Sequence, residues 1–187
     1  MEEFEKLWKN GQRNEKYDFY RGSPVSTKSQ CIFQFVLLKV KTNFSGETEA
    51  NKERRLQGQI DTKLNEVGEK QATLAGKVLK DVKFDVAYSS DLQRAKKTCQ
   101  LILEQNGSSN VGDIQEDPRI KERSFGDYEN QPVNEFENKA KEAGFSRWID
   151  YVPENGESRD DVRNRAKNFI NVSCLEKVLF LCYLIEN

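Results

Sequence analysis

Two charged residues, Arg94 and Glu122, stand in settings where they could act on a phosphate group. Arg94 ends the segment Ser-Ser-Asp-Leu-Gln-Arg, which follows an apolar stretch and opens a predicted helix. A guanidinium grips two phosphate oxygens at once, and the free N–H groups of a first helical turn also favour an anion. Glu122 lies in a loop before Phe125-Gly126, and a carboxyl group is one of the side chains that can act as a general acid. Phosphoryl transfer depends mainly on positioning and charge stabilisation, and an arginine suits that chemistry.

Neutral groups could complete such a site. Asn51 and the Gln57-Gly58 pair offer an amide and a glycine turn, both of which can bind anion oxygens without adding charge. A simpler interpretation has equal weight, in which Asn51 caps a segment and Gly58 makes a tight turn. The simpler interpretations of Arg94 and Glu122 are a surface arginine paired with a carboxylate and an exposed glutamate. For these two residues the surrounding motifs favour the phosphate roles.

Other sites are excluded by the residues that the chain lacks. It contains no histidine among 187 residues, which removes the commonest general base and the commonest metal ligand. A P-loop fails because Gln71 stands where a glycine should precede Gly76-Lys77. None of the four cysteines forms a Cys-x-x-Cys pair or has an arginine six residues later. We therefore expect no metal and no organic cofactor.

Strand and helix patterns alternate along the chain and predict an α/β domain with a largely parallel sheet. Strands are predicted at Ile32–Val40 and Phe84–Tyr88. Helices are predicted to follow four starting signals, which are Asn65, Ser90, Pro132 and Ser158. Pro132 fits the first position of its helix, and Ser158 and Asp161 approximate a capping box.

The first two of these helices have predicted apolar faces, and the second contains Arg94. Asn65 should cap the first, whose buried stripe is expected to be Val67, Gln71, Leu74 and Val78. Ser90 should cap the second, whose buried stripe is expected to be Leu92, Ala95, Cys99 and Ile102.

The motifs occur in an order that resembles one known superfamily. They are Gly46-Glu47-Thr48-Glu49-Ala50-Asn51, Leu56-Gln57-Gly58-Gln59-Ile60-Asp61, Tyr88-Ser89-Ser90-Asp91-Leu92-Gln93-Arg94-Ala95, Ile120-Lys121-Glu122-Arg123-Ser124-Phe125-Gly126 and Asn155-Gly156-Glu157-Ser158. Over about residues 44–170 they resemble the histidine phosphatase (phosphoglycerate mutase-like) superfamily, and within it the TIGAR-like fructose-2,6-bisphosphatases more than the phosphoglycerate mutases. The resemblance implies a phosphoglycerate mutase-like α/β fold and a sugar bisphosphate substrate. It also implies that Arg94 binds phosphate, that Glu122 is the proton donor, and that Asn51, Gln57 and Gly58 contact the substrate.

The chain departs from the family at the residues that perform catalysis. Where the family has Arg-His-Gly-Glu-Thr, this chain reads Phe44-Ser45-Gly46-Glu47-Thr48, so that Ser45 replaces the nucleophilic histidine. The family's second histidine is also missing, and the domain is expected to be truncated at its C-terminus. A serine hydroxyl needs a base to become a useful nucleophile. We therefore predict that the family reaction is absent or negligible here.

The organisation and setting of the chain follow from the same reasoning. We expect a loosely ordered extension over residues 1–30, an incomplete domain over residues 31–173 and an atypical tail over residues 174–187. The net charge of −1 gives no basis for binding nucleic acid or a membrane, and a cytoplasmic location is the expectation. Two alternatives remain, a non-catalytic phosphosugar-binding protein and an unstable truncated product.

Overall fold

The computed structural model describes residues 45–107, 111–173 and 180–182. Within these residues three strands form a parallel sheet in the order β2–β1–β3. Strand β1 is Val86–Ser89, β2 is Gln115–Glu116 and β3 is Phe180–Cys182. The predicted extension over residues 1–30, the predicted strand over Ile32–Val40 and Phe44 all lie outside the described residues. No helix in the described part of the chain is long and apolar enough to cross a membrane.

Five α-helices are formed by the described residues: α1 (Glu49–Lys52), α2 (Glu66–Val78), α3 (Gln93–Gln105), α4 (Val133–Glu142) and α5 (Arg159–Ser173). Helices therefore flank a small parallel sheet, which confirms the predicted α/β class. Ser158 and Asp161 form the predicted capping box before α5. Pro132 is the N-cap of α4 and not its first residue.

Helix α2 begins as predicted but buries a different face. The Asn65 side chain accepts a hydrogen bond from the Gly68 N–H and caps the helix. The predicted stripe is wrong, because Val67, Leu74 and Val78 are exposed. The buried face consists of small residues, Gly68, Ala72, Ala75 and Gly76. A Cβ on Gly76 would lie 2.7 Å from the Ile102 carbonyl oxygen, so α2 and α3 pack too closely for large side chains on this face.

Helix α3 buries its predicted stripe, and every member of it is at most 3% exposed. Burial raises the pKa of the Cys99 thiol to about 12, so this cysteine is a packing residue. The predicted cap is wrong: Ser90 does not cap the helix. The Asp61 carboxylate instead accepts the Gln93 N–H at 2.7 Å. A carboxylate from a distant loop takes the place of the local hydroxyl, and it suits the positive end of the helix dipole.

An apolar cluster supports the loop that contains Glu122. Phe125 and Phe136 are fully buried and stack edge to face at 5.4 Å, with Leu56 and Trp148 packed around them. On the sheet, Phe169 of α5 packs against Tyr88 of β1 with ring centroids 5.2 Å apart. The first contact supports the segment that follows β2 at the carboxyl edge of the sheet, where α/β folds place their ligands, and the second packs α5 on the sheet.

Candidate functional site

Arg94 lies in the first turn of α3 with its side chain fully buried. Its Nη1 donates to the Ile60 carbonyl oxygen at 2.7 Å, and its Nη2 donates to the Gly58 carbonyl oxygen at 2.7 Å. The guanidinium therefore holds the turn that contains Gly58 against the N-terminus of the helix. The simpler interpretation of Arg94 as a surface residue is wrong.

Glu122 completes an ion pair with this arginine. Its Oε2 lies 2.9 Å from Arg94 Nη2, and the side chain of Glu122 is only 7% exposed. The interpretation of Glu122 as an exposed glutamate is therefore also wrong. The structure brings together the predicted phosphate-binding residue and the predicted proton donor, although 28 positions separate them in the sequence.

Two polar atoms in this region have no hydrogen-bond partner among the described residues. They are Nε of Arg94 and Oγ of Ser90, and both residues are fully buried. Leaving a buried donor unpaired costs about 1–3 kcal/mol. Each atom could donate to an oxygen atom of a ligand.

Ser45 is buried, at 3% exposure, where the chain enters this site. The next residue is anchored to α3, because the Gly46 N–H donates to Thr98 Oγ1 at 3.1 Å and that hydroxyl donates to the Arg94 carbonyl oxygen at 2.6 Å. A Cβ on Gly46 would lie 2.1 Å from the Gly68 carbonyl oxygen. The backbone around Ser45 is thus tightly packed against α2 and α3.

Asn51 and Gln57 take part in a polar network around Thr48. The Asn51 side chain accepts the Thr48 N–H at 3.0 Å in the capping box of α1. Gln57 Oε1 accepts from the hydroxyls of Thr48 and Thr62 at 2.7 Å and 2.6 Å. The structure therefore gives both amides a hydrogen-bonding role within the fold, and their contact with a substrate stays a prediction.

Gly58 makes a tight turn with a φ of +53°, as the simpler of its two interpretations expected. That conformation is unfavourable for residues with a Cβ. The turn directs the Gly58 carbonyl oxygen toward Arg94. Its carbonyl oxygen accepts from the arginine in this structure, and its contact with a substrate stays a prediction.

The loop after Glu122 is held by a second, partly buried charge network. Glu157 Oε2 accepts from the Ser124 N–H and from Arg165 Nη2, both at 2.9 Å. Burial of the Glu157 carboxyl acts to raise its pKa, but these hydrogen bonds outweigh burial and the pKa lies below its ordinary value. Arg165 also donates to the Glu122 carbonyl oxygen at 2.9 Å, so the network fixes the backbone of the predicted proton donor.

An open surface depression of about 830 Å³ lies beside the site. Its lining includes Thr62, whose hydroxyl binds Gln57, but neither Arg94 nor Glu122. The charged pair is therefore closed off from this depression. Among the described residues, no cluster of histidine, cysteine and acidic side chains is arranged to hold a metal ion.

Sequence reasoning missed several residues that build the site. Thr98, Glu129 and Arg165 act through partners that are 52, 70 and 43 positions away, respectively. Nothing in their local sequence distinguishes them from ordinary helix or loop residues. Glu157 belonged to a recognised motif, but the motif gave it no role.

Comparison with known proteins gives a consistent result. Residues 45–177 match the histidine phosphatase superfamily (branch 1). The fructose-2,6-bisphosphatase TIGAR of Xenopus laevis is 45% identical over 130 residues, which are 69% of this chain and 47% of that protein. A phosphoglycerate mutase of Schizosaccharomyces pombe is 36% identical over 139 residues, 72% of this chain and 65% of that protein.

Solved structures agree with the fold. The phosphoglycerate mutase of Bacillus anthracis superposes with a TM-score of 0.67 at 27% identity, over 74% of this chain and 70% of that one. A mycobacterial glucosyl-3-phosphoglycerate phosphatase in complex with VO3 superposes with a TM-score of 0.62 at 29% identity, over 74% and 71% of the two chains. The chain spans about half the length of the TIGAR proteins that it matches. On the evidence of its motifs, its fold and these matches, the chain belongs to the histidine phosphatase superfamily.

Proposed function

We propose that this chain binds a sugar phosphate at the Arg94–Glu122 pair and does not hydrolyse it. The observation that carries the proposal is the buried ion pair itself, with an Nη2–Oε2 distance of 2.9 Å. Burying two charges costs several kcal/mol for each ion before their attraction compensates. One use for such a pair is an anion site, in which the arginine exchanges the carboxylate for an oxygen of the ligand.

The unpaired atoms support a phosphate ligand. In the free protein, Arg94 Nη2 is shared by the Gly58 carbonyl oxygen and the Glu122 carboxylate. A phosphate oxygen could replace the carboxylate at this nitrogen and could also accept from Arg94 Nε, which is without a partner among the described residues. Such an exchange would satisfy a donor that has no partner in the described parts of the chain.

Absence of turnover is proposed from the residue types. The family reaction needs a histidine nucleophile, and this chain has serine at that position and no histidine anywhere. Thr98 receives the Gly46 N–H next to Ser45, and a threonine hydroxyl cannot act as the base that serine requires. Catalytic groups that act as a unit typically fail together when one is lost.

The ligand class is proposed from the relatives. One matched protein is named a fructose-2,6-bisphosphatase and another a glucosyl-3-phosphoglycerate phosphatase. Both names describe phosphate esters that contain a sugar. We therefore propose fructose 2,6-bisphosphate, or a phosphosugar like it, as the ligand of this chain.

Calorimetric titration with fructose 2,6-bisphosphate tests the proposal, together with a phosphate-release assay on the same sample. We expect saturable binding with no release of phosphate. Arg94→Lys should weaken binding by about tenfold or more, because lysine cannot grip two oxygens. The control is Arg163→Lys, since Arg163 pairs with Asp160 on the exposed side of α5. Release of phosphate, or binding unchanged in Arg94→Lys, would overturn the proposal.

A further inference from the structure

We infer that Glu129 is a positioning residue that sets the orientation of the Arg94 guanidinium by holding the Gly58 turn against the loop of Glu122. Its consequence for ligand binding rests on the proposed function. Its consequence for Arg94 in the free protein does not.

The Glu129 carboxylate joins two separate loops through a single oxygen. Its Oε1 accepts from the Gln59 N–H at 2.9 Å, from the Phe125 N–H at 3.0 Å and from the Ser124 hydroxyl at 3.1 Å. Gln59 belongs to the turn that binds Arg94, whereas Ser124 and Phe125 lie two and three residues after Glu122. One oxygen atom therefore links the turn that accepts from Arg94 to the loop that carries Glu122.

The contact between Glu129 and the turn leaves no free space. A Cβ on Gly58 would lie 2.3 Å from Glu129 Oε1. The Gly58 carbonyl oxygen accepts from Arg94 Nη2 at 2.7 Å. A displacement of the Glu129 side chain would consequently reach the guanidinium through the short turn of Gly58 and Gln59.

Glu129 differs from the neighbouring carboxylate Glu157 in what holds it. Glu157 is paired with Arg165, whereas no cation lies within ion-pairing distance of Glu129 in the described parts of the chain. Its three known partners are neutral N–H and O–H groups. Glu129 acts as a hydrogen-bond acceptor in a fixed position and not as a partner in an ion pair. A glutamine, which keeps the acceptor oxygen, should therefore preserve its role, whereas an alanine should abolish it.

The test uses NMR of the Arg94 side-chain nitrogens in the full chain without ligand. Spectra are compared for the wild type, Glu129→Ala, Glu129→Gln and the control Glu154→Ala, since Glu154 is exposed in a neighbouring loop. In Glu129→Ala we expect the Arg94 signals to shift and their hydrogens to exchange about tenfold faster. Glu129→Gln should restore the wild-type spectrum, and Glu154→Ala should not alter it. If Glu129→Ala does not fold, Glu129→Asp replaces it, because the shorter side chain withdraws the oxygen from the turn.

Arg94 signals that stay unchanged when the Glu129 oxygen is removed or withdrawn would overturn the inference, as would a glutamine variant that behaves like alanine. Titration with fructose 2,6-bisphosphate adds the binding readout. Affinity for the ester should fall about tenfold in Glu129→Ala, because the Arg94 guanidinium is then misplaced, and it should recover in Glu129→Gln. A wild type that does not bind the ester would defeat the proposed function alone, because the Arg94 spectra would still decide the role of Glu129.

Discussion

The guanidinium of Arg94 and the carboxylate of Glu122 lie 2.9 Å apart, and their side chains are 0% and 7% exposed. Removing one partner of a buried pair leaves an uncompensated charge, at a cost of about 3–5 kcal/mol. We therefore expect Glu122→Ala to lower the free energy of unfolding by that amount, as measured by urea denaturation.

The matched control for this pair is the exposed pair of Lys52 and Glu49, which are 3.6 Å apart and more than half exposed. Exposed pairs of this kind contribute less than about 1 kcal/mol, so Glu49→Ala should have little effect. Equal losses in the two variants would contradict the view that Glu122 is buried with its charge paired.

The unpaired hydroxyl of Ser90 gives a prediction of opposite sign. Ser90 is fully buried and its Oγ has no partner among the described residues. Removing an unsatisfied hydroxyl should raise the free energy of unfolding of Ser90→Ala by up to about 1 kcal/mol. The adjacent Ser89 is also fully buried, but its hydroxyl donates to the Ser90 carbonyl oxygen, so Ser89→Ala should be destabilising. A Ser90→Ala variant that melts below the wild type would show that the hydroxyl is satisfied.

The close approach of Gly46 and Gly68 predicts the effect of a single methyl group. Because a Cβ on Gly46 would lie 2.1 Å from the Gly68 carbonyl oxygen, Gly46→Ala must displace the backbone beside Ser45. We expect a lower melting temperature and a loss of about 1–3 kcal/mol or more, as for overpacking in general. Gly112→Ala is the control, since nothing lies within 4 Å of its Cβ position. Similar melting temperatures for the two variants would mean that the Gly46–Gly68 contact is wrong.

Glu157 predicts how stability depends on pH. Burial acts to raise its pKa and the hydrogen bonds from Arg165 and Ser124 outweigh it, so the folded pKa is depressed. A depressed carboxyl stabilises the fold above its unfolded pKa of about 4.3, and that contribution is lost as the pH falls through the folded pKa. Glu157→Gln should therefore be less stable than the wild type at pH 7, and the difference should shrink toward pH 3. Urea denaturation at both pH values measures it, and a constant difference would contradict the assignment.

The sequence predicted the elements whose signals are local. The Asn65 cap, the Ser158–Asp161 capping box and the buried stripe of α3 all follow from residues within a few positions of one another. The motif order predicted the superfamily, and the structure shows Arg94 and Glu122 in direct contact. Their phosphate-binding and proton-donor roles stay predictions.

What could not be predicted depends on contacts between distant segments. The face of α2 was misassigned because its small residues are buried by the close approach of α3, which no helical periodicity reveals. Asp61 accepts the first N–H of α3 from 32 positions away. The local sequence shows only Ser90 as a candidate cap and gives no sign of this distant carboxylate. The role of Glu129 likewise exists only because the turn at Gly58 folds against it.

The most direct test of the central claim is a single ³¹P NMR experiment on the purified chain with fructose 2,6-bisphosphate. It reads binding from the ester signals and hydrolysis from the signal of inorganic phosphate in the same tube. We predict ester resonances that broaden or shift with protein concentration and no growth of inorganic phosphate. Growth of inorganic phosphate would show a working nucleophile, and unchanged ester signals would show that the Arg94–Glu122 pair does not bind this ligand; either result would contradict the account.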